Sequence, residues 1–194
     1  SMAHARPHFP ARSFDTMGER TLLANSFSKK FGMPGLRIGW LVGQPEAIEQ
    51  ASKAHDYLLL GVNRQYEQVA ARVLEHRAID AWLEIQRARV AQRAQRAIAT
   101  LTSERGFAWL RRPMGGMFLF PDVSGLRERC GSGAPGDTTG EAVAHHLFHT
   151  ARVATVPGLV YGTNVVDHLR MVLCSDDADF EEAMRRLATE GALR

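Results

Sequence analysis

The chain has 194 residues, 45% of them hydrophobic and 23% charged, which suffices for a packed core in one or two domains and excludes a disordered or fibrous class. Lysine and arginine number 24 against 21 aspartates and glutamates, so the net charge is only +3 and implies no nucleic-acid partner. The longest apolar run, 57–62, is far too short to cross a bilayer, and Cys130 and Cys174 share no metal-like spacing with histidine. These features lead us to expect a cytoplasmic protein with no membrane partner and neither a zinc site nor a disulfide scaffold.

Ser1 and Met2 read as a cleavage scar ahead of a start codon, and 1–18 as an irregular segment without periodicity. Short apolar runs at 21–27 and 36–42 predict two strands. Between them, 28–35 carries Gly32, Pro34 and Gly35, which predict a tight loop without regular structure. Pro45 and Glu46 open a helix continued by Ile48, Ala51 and Ala54, and after Gly61 and Asn63 a second helix spans 64–75. Over 79–101 a stripe of Ile79, Leu83, Val90, Ala94, Ala97 and Leu101 predicts one long helix, with Arg87, Arg89, Arg93 and Arg96 largely on its other faces.

Past Gly106, the runs 107–110 and 117–120 read as a pair of strands joined around 111–116, and 131–140 as a small-residue loop. A helix at 141–151, strands at 153–156 and 169–173, and a closing helix at 179–190 complete the chain. The fold class is therefore α/β, divided into 19–76 and 77–194, the latter holding the long helix and an α+β domain. Trp82 and Trp109 are assigned to the core, and His145, His146 and His149 to the faces of an amphipathic helix rather than to a metal.

The chemistry concentrates at 25–39. A lysine anchors an aldehyde specifically when it is deprotonated often enough and held rigidly where the carbonyl sits. Ser26 and Ser28 precede Lys29 and Arg37 follows it; hydroxyls and a planar cation suit a phosphate.

The pattern Ser26-x-Ser28-Lys29-x-Phe31-x-x-x-Gly35-x-Arg37-x-Gly39 resembles the Schiff-base lysine signature of class I/II aminotransferases, enzymes of pyridoxal 5'-phosphate (PLP) fold type I. The resemblance implies Lys29 as the catalytic Schiff-base lysine and Ser26, Ser28, Lys29 and Arg37 as the PLP-binding set, with Gly35 and Gly39 letting the backbone pass close by. It extends to 112–118, similar to the family's substrate-facing loop, and to the turn from Val156 to Gly162. Arg170 stands where the family's arginine grips the substrate α-carboxylate, although the bare pattern also allows a surface-facing strand residue.

What the resemblance implies is amino-group transfer from an amino acid to a 2-oxo acid, with Lys29 moving the proton of the substrate Cα, in a homodimer. A carbon-sulfur β-lyase on the same scaffold, or a non-catalytic aminotransferase-like regulatory domain, are the rival readings. The family's large domain supplies a phosphate-binding backbone loop, a ring-stacking aromatic and an aspartate for the pyridine nitrogen, and 1–28 holds no counterpart of these. On this reading 19–76 is the end of the large-domain sheet, the chain is a C-terminal part inactive alone, and the strands flanking Lys29 need a partner for their edges.

Overall fold

The computed structural model describes residues 8–130 and 136–189, which form two compact units divided between Arg87 and Ala88. The reading of Ser1 and Met2, the 131–135 part of the small-residue loop, and residue 190 of the closing helix lie outside the described residues. The fold is α/β, with one small antiparallel sheet in each unit.

In the first unit, β1 (Leu23–Ser26) pairs antiparallel with β2 (Gly39–Val42), setting Ser26 opposite Gly39 and Asn25 opposite Trp40. Both strands are shorter than 21–27 and 36–42, because the intervening segment is more ordered than its glycines and proline predict. Ser26 leaves the strand as a helix N-cap, its Oγ accepting from the Ser28 N–H at 2.9 Å, and starts a single turn, α1 (Phe27–Lys30). Pro34 then opens a 3-10 turn, Pro34–Leu36, and Arg37 follows in the left-handed region at φ 52°, so Arg37 is not the strand residue that alternation predicts.

The core of this unit is Phe27, Phe31, Ile38, Ala70 and Leu83, with Trp40, Met33, Val73 and Ile79 packed against it. The three aromatic rings meet at 4.8 to 6.3 Å. Two helices follow, α2 (Pro45–Leu59) and α3 (Arg64–Glu75), the second capped by Asn63, whose Oδ1 accepts from the Gln65 and Tyr66 N–H groups. Trp82 is 38% exposed and not a core residue; it borders an apolar cavity of about 300 Å³ with Phe31, Met33, Val73 and Ile79.

The long helix is present as α4 (Ile79–Thr100), and it buries Leu83, Val90, Ala94 and Ala97 as its stripe predicts. Arg93 departs from that reading. Its side chain is 7% exposed, donates to the carbonyls of Leu173 and Ser175 at 2.6 and 2.7 Å, pairs with Asp177, and lies 5.1 Å over the Phe180 ring.

In the second unit the expected strand pair at 107–110 and 117–120 is reduced. The run 107–110 makes one bridge, Ala108 with Asp122, while β3 (Phe118–Leu119) pairs with β5 (Leu169–Val172) instead. The Trp109 indole donates to the Leu101 carbonyl at 2.8 Å, which ties this segment to the end of α4 rather than to a ladder. The third strand, β4 (Val156–Pro157), lies on the other edge, giving the order β3-β5-β4. Two helices complete the unit: α5 (Thr139–Thr150), opened by a capping box between Thr138 and Glu141, and α6 (Asp177–Ala188). Leu169, Met171 and Leu173 alternate and are buried, so Arg170 stands on the opposite face of the sheet.

Candidate active site

Two groups of residues carry the chemistry, one in each unit. In the first, α1 is a single turn with an apolar and a polar side. Phe27 and Phe31 are buried, and the Phe27 N–H and C=O are both used, with Ile38 O and Met33 N respectively at 3.1 Å, which anchors the turn at its base. Lys29 then projects exposed from the opposite side. Lys30, one residue on, lies with its ammonium 5.2 Å from the Phe31 ring, so it is a half-buried cation against an aromatic face rather than a freely solvated charge.

Ser26, Ser28 and Arg37 converge around this turn. The Arg37 guanidinium donates to the Ser28 Oγ at 3.4 Å and to the Pro34 carbonyl at 2.9 Å, so the left-handed backbone at Arg37 folds the side chain back over the lysine turn. The two serine oxygens each accept one N–H from the chain, from Ser28 N and from Arg37, which leaves both O–H groups to donate outward. Gly39 is the glycine the geometry requires: a Cβ there would collide with the Asn25 carbonyl oxygen across the β1–β2 ladder. Gly35 faces open space, so the close approach expected of it is absent.

The second group centres on Arg170 at the middle of the three-stranded sheet. Its guanidinium carbon lies 4.8 Å from the Phe118 ring and 5.7 Å from the Tyr161 ring. Its Nε is buried without a hydrogen-bond partner, and no ion pair to Arg170 exists among the described residues. The unpaired cation on a partly buried strand face argues against a plain surface residue. His168 bridges to Asp122 and stacks its ring on Phe120 at 5.0 Å, bordering the same face. The turn carrying His168 is held tightly, since Gly158 N–H donates to the His168 carbonyl at 2.7 Å and Gly140 N–H to that of Val166 at 2.8 Å.

Tyr161 is the residue here that sequence reasoning missed. It lies inside the turn from Val156 to Gly162, but its ring reaches Arg170 and Phe120 only through tertiary packing. The imidazoles of His145 and His149 lie 4.3 Å apart on α5, and no group of three potential metal ligands occurs among the described residues.

No helix among the described residues is long and apolar enough to cross a membrane. The chain is 28% identical over 188 residues to an aspartate aminotransferase of Pyrococcus horikoshii, covering 95% of this chain and 44% of that protein. It is 28% identical over 181 residues to the arginine–pyruvate transaminase of Pseudomonas aeruginosa, covering 93% and 43%. It superimposes on the N-succinyldiaminopimelate aminotransferase of Mycobacterium tuberculosis with a TM-score of 0.79 and 28% identity, over 96% of this chain and 46% of that one. The chain thus spans less than half the length of these relatives. Residues 2–187 match the family described as aminotransferase class I and II, and the chain belongs to that family.

Proposed function

We propose that this chain supplies the cofactor lysine and the substrate-carboxylate arginine of a PLP-dependent aminotransferase that moves an amino group from an amino acid to a 2-oxo acid. The observation that carries the reading is the convergence of Ser26, Ser28 and Arg37 on the turn that projects Lys29. Two outward hydroxyl donors and a guanidinium match a phosphate dianion, and an adjacent primary amine matches the aldehyde of the same molecule. The donor set therefore fits PLP.

When bound, PLP supplies an electron sink for the pair left behind as a bond at the substrate Cα breaks. The chain's own residues do the rest. Ser26, Ser28 and Arg37 would hold the phosphate, fixing the cofactor relative to Lys29. Lys29 would serve as the base whose Nζ takes the proton from the substrate Cα. Arg170 binds the α-carboxylate through its planar fork, which orients the Cα bonds and favours loss of the proton over loss of the carboxylate. In this reading 19–76 is the lysine-bearing end of a larger cofactor domain and 77–194 the linking helix and small domain of a cytoplasmic homodimer.

The test is direct. The purified chain is mixed with PLP, its absorbance followed, the adduct reduced with borohydride, and the modified peptide located by mass. A specific adduct at Lys29 that disappears in Lys29→Ala supports the assignment. Scattered labelling of other lysines, unchanged in Lys29→Ala, overturns it for this chain.

A further inference from the structure

We propose that Tyr161, acting with Phe118, is a positioning residue that holds the Arg170 guanidinium on two ring faces and leaves its terminal nitrogens to take a carboxylate end-on. The inference rests on the reading of Arg170 as the carboxylate site. Arginine is flexible and strongly cationic, and a partly buried one ordinarily settles against a carboxylate. Arg170 has none among the described residues; its neighbours are Phe118 at 4.8 Å and Tyr161 at 5.7 Å. The faces of these rings carry the negative end of the aromatic quadrupole, so they attract the cation without occupying its hydrogen-bond donors.

The arrangement is braced. Phe118 belongs to β3, hydrogen-bonded to β5, which carries Arg170, and its neighbour Phe120 receives the Tyr161 ring edge-on at 5.8 Å and 88°. Phe120 also stacks on His168, so Tyr161 is held by a ring that is itself held. The Arg170 Nε is buried and unpartnered, which removes it from the surface available to a ligand. A carboxylate that binds Arg170 is thereby directed to the two terminal nitrogens, the bidentate end-on mode. Ordering the guanidinium beforehand spares the ligand that entropy cost.

The experiment uses the whole chain labelled with 15N, reading the Arg170 Nε–Hε resonance, assigned by its loss in Arg170→Lys. Four proteins are compared: the unsubstituted chain, Tyr161→Phe, Tyr161→Leu and Phe118→Leu, with backbone amide spectra confirming that β5 is intact. Each is then titrated with 3-phenylpropionate as a carboxylate probe. The proposal expects a slowly exchanging Nε–H in the unsubstituted chain and in Tyr161→Phe, with equal probe affinity. In Tyr161→Leu and Phe118→Leu it expects faster exchange and affinity weaker by about threefold to tenfold. Unchanged exchange and affinity in both leucine variants overturns it, as does a Tyr161→Phe that behaves like Tyr161→Leu, since the ring and not the hydroxyl is the positioning element. Should Tyr161→Leu lose its fold, Phe118→Leu decides alone. If the resonance of the unsubstituted chain ignores the probe, the carboxylate assignment of Arg170 falls, while the exchange rates still decide whether the rings position it.

Discussion

Lys29 and Arg93 show how differently two cations are used in this chain. Lys29 stands exposed on a one-turn helix whose other side is locked by Phe27 and Phe31, so apolar burial at the base of the turn sets its position. Arg93 is the reverse, a buried cation that donates to two carbonyls and one carboxylate. The Asp177 side of that pair is 74% exposed and screened by water, so the carbonyl bonds dominate the energetics. Arg93→Met, which keeps the stem, strands the Leu173 and Ser175 carbonyls and is expected to destabilise the second unit by about 2–4 kcal/mol in urea denaturation. Asp177→Asn is expected to cost much less, and the reverse order would mean that the ion pair dominates.

At the level of elements, α6 carries its own pH dependence. Glu182 accepts from Arg185 at 2.6 and 2.7 Å and from Arg186 at 2.7 Å, and these two guanidinium groups hold its carboxyl down at about 2, against an ordinary 4.5. A carboxylate depressed in the folded state contributes stability that is complete above the unfolded value near 4.5 and is lost as pH falls towards about 2. Thermal midpoints measured across that window should fall with acidification, and Glu182→Gln should flatten part of the slope by lowering the midpoint above about pH 4.5 more than it does near pH 2. A slope identical in Glu182→Gln would assign the effect to other carboxylates, of which Asp177 and Asp15 are also held low, Asp177 by Arg89 and Arg93 and Asp15 chiefly by backbone N–H donors.

Across the whole molecule the apolar residues are unevenly spent. The first unit buries the cluster around Phe27, Phe31 and Ile38 beside a two-stranded sheet, yet leaves Tyr57 and Leu60 at 92% and 94% exposed at the end of α2. The second unit buries side chains from β3, β5 and both of its own helices. Two strands alone are marginally stable, so the first unit should unfold first. The three tryptophans report this separately, with Trp40 and Trp82 in the first unit and Trp109 in the second. The fluorescence midpoint in urea of Trp109→Phe is expected about 1 M below that of the Trp40→Phe/Trp82→Phe double variant. Coincident midpoints would show that the chain unfolds as one cooperative body.

The sequence alone determined the elements whose signals are local. The stripe of α4, the Asn63 cap, the proline that opens α2, and the spacing of Ser26, Ser28, Lys29 and Arg37 all act within a few residues of themselves, so they are legible without coordinates. Family membership followed from that spacing. Tertiary structure alone decided what depends on distant neighbours. Residues 107–110 carry a strand-like pattern, but Trp109 bonds to the end of α4 and β5 takes Phe118 as its partner. Arg93 reads as a solvated charge until the β5–α6 junction closes over it, and Tyr161 is an unremarkable turn residue until Phe120 and Arg170 meet it. Hydrogen-bond partners and ring faces supplied from far along the chain leave no periodic trace in the residues they act upon, and that is why these features became visible only once the chain was folded.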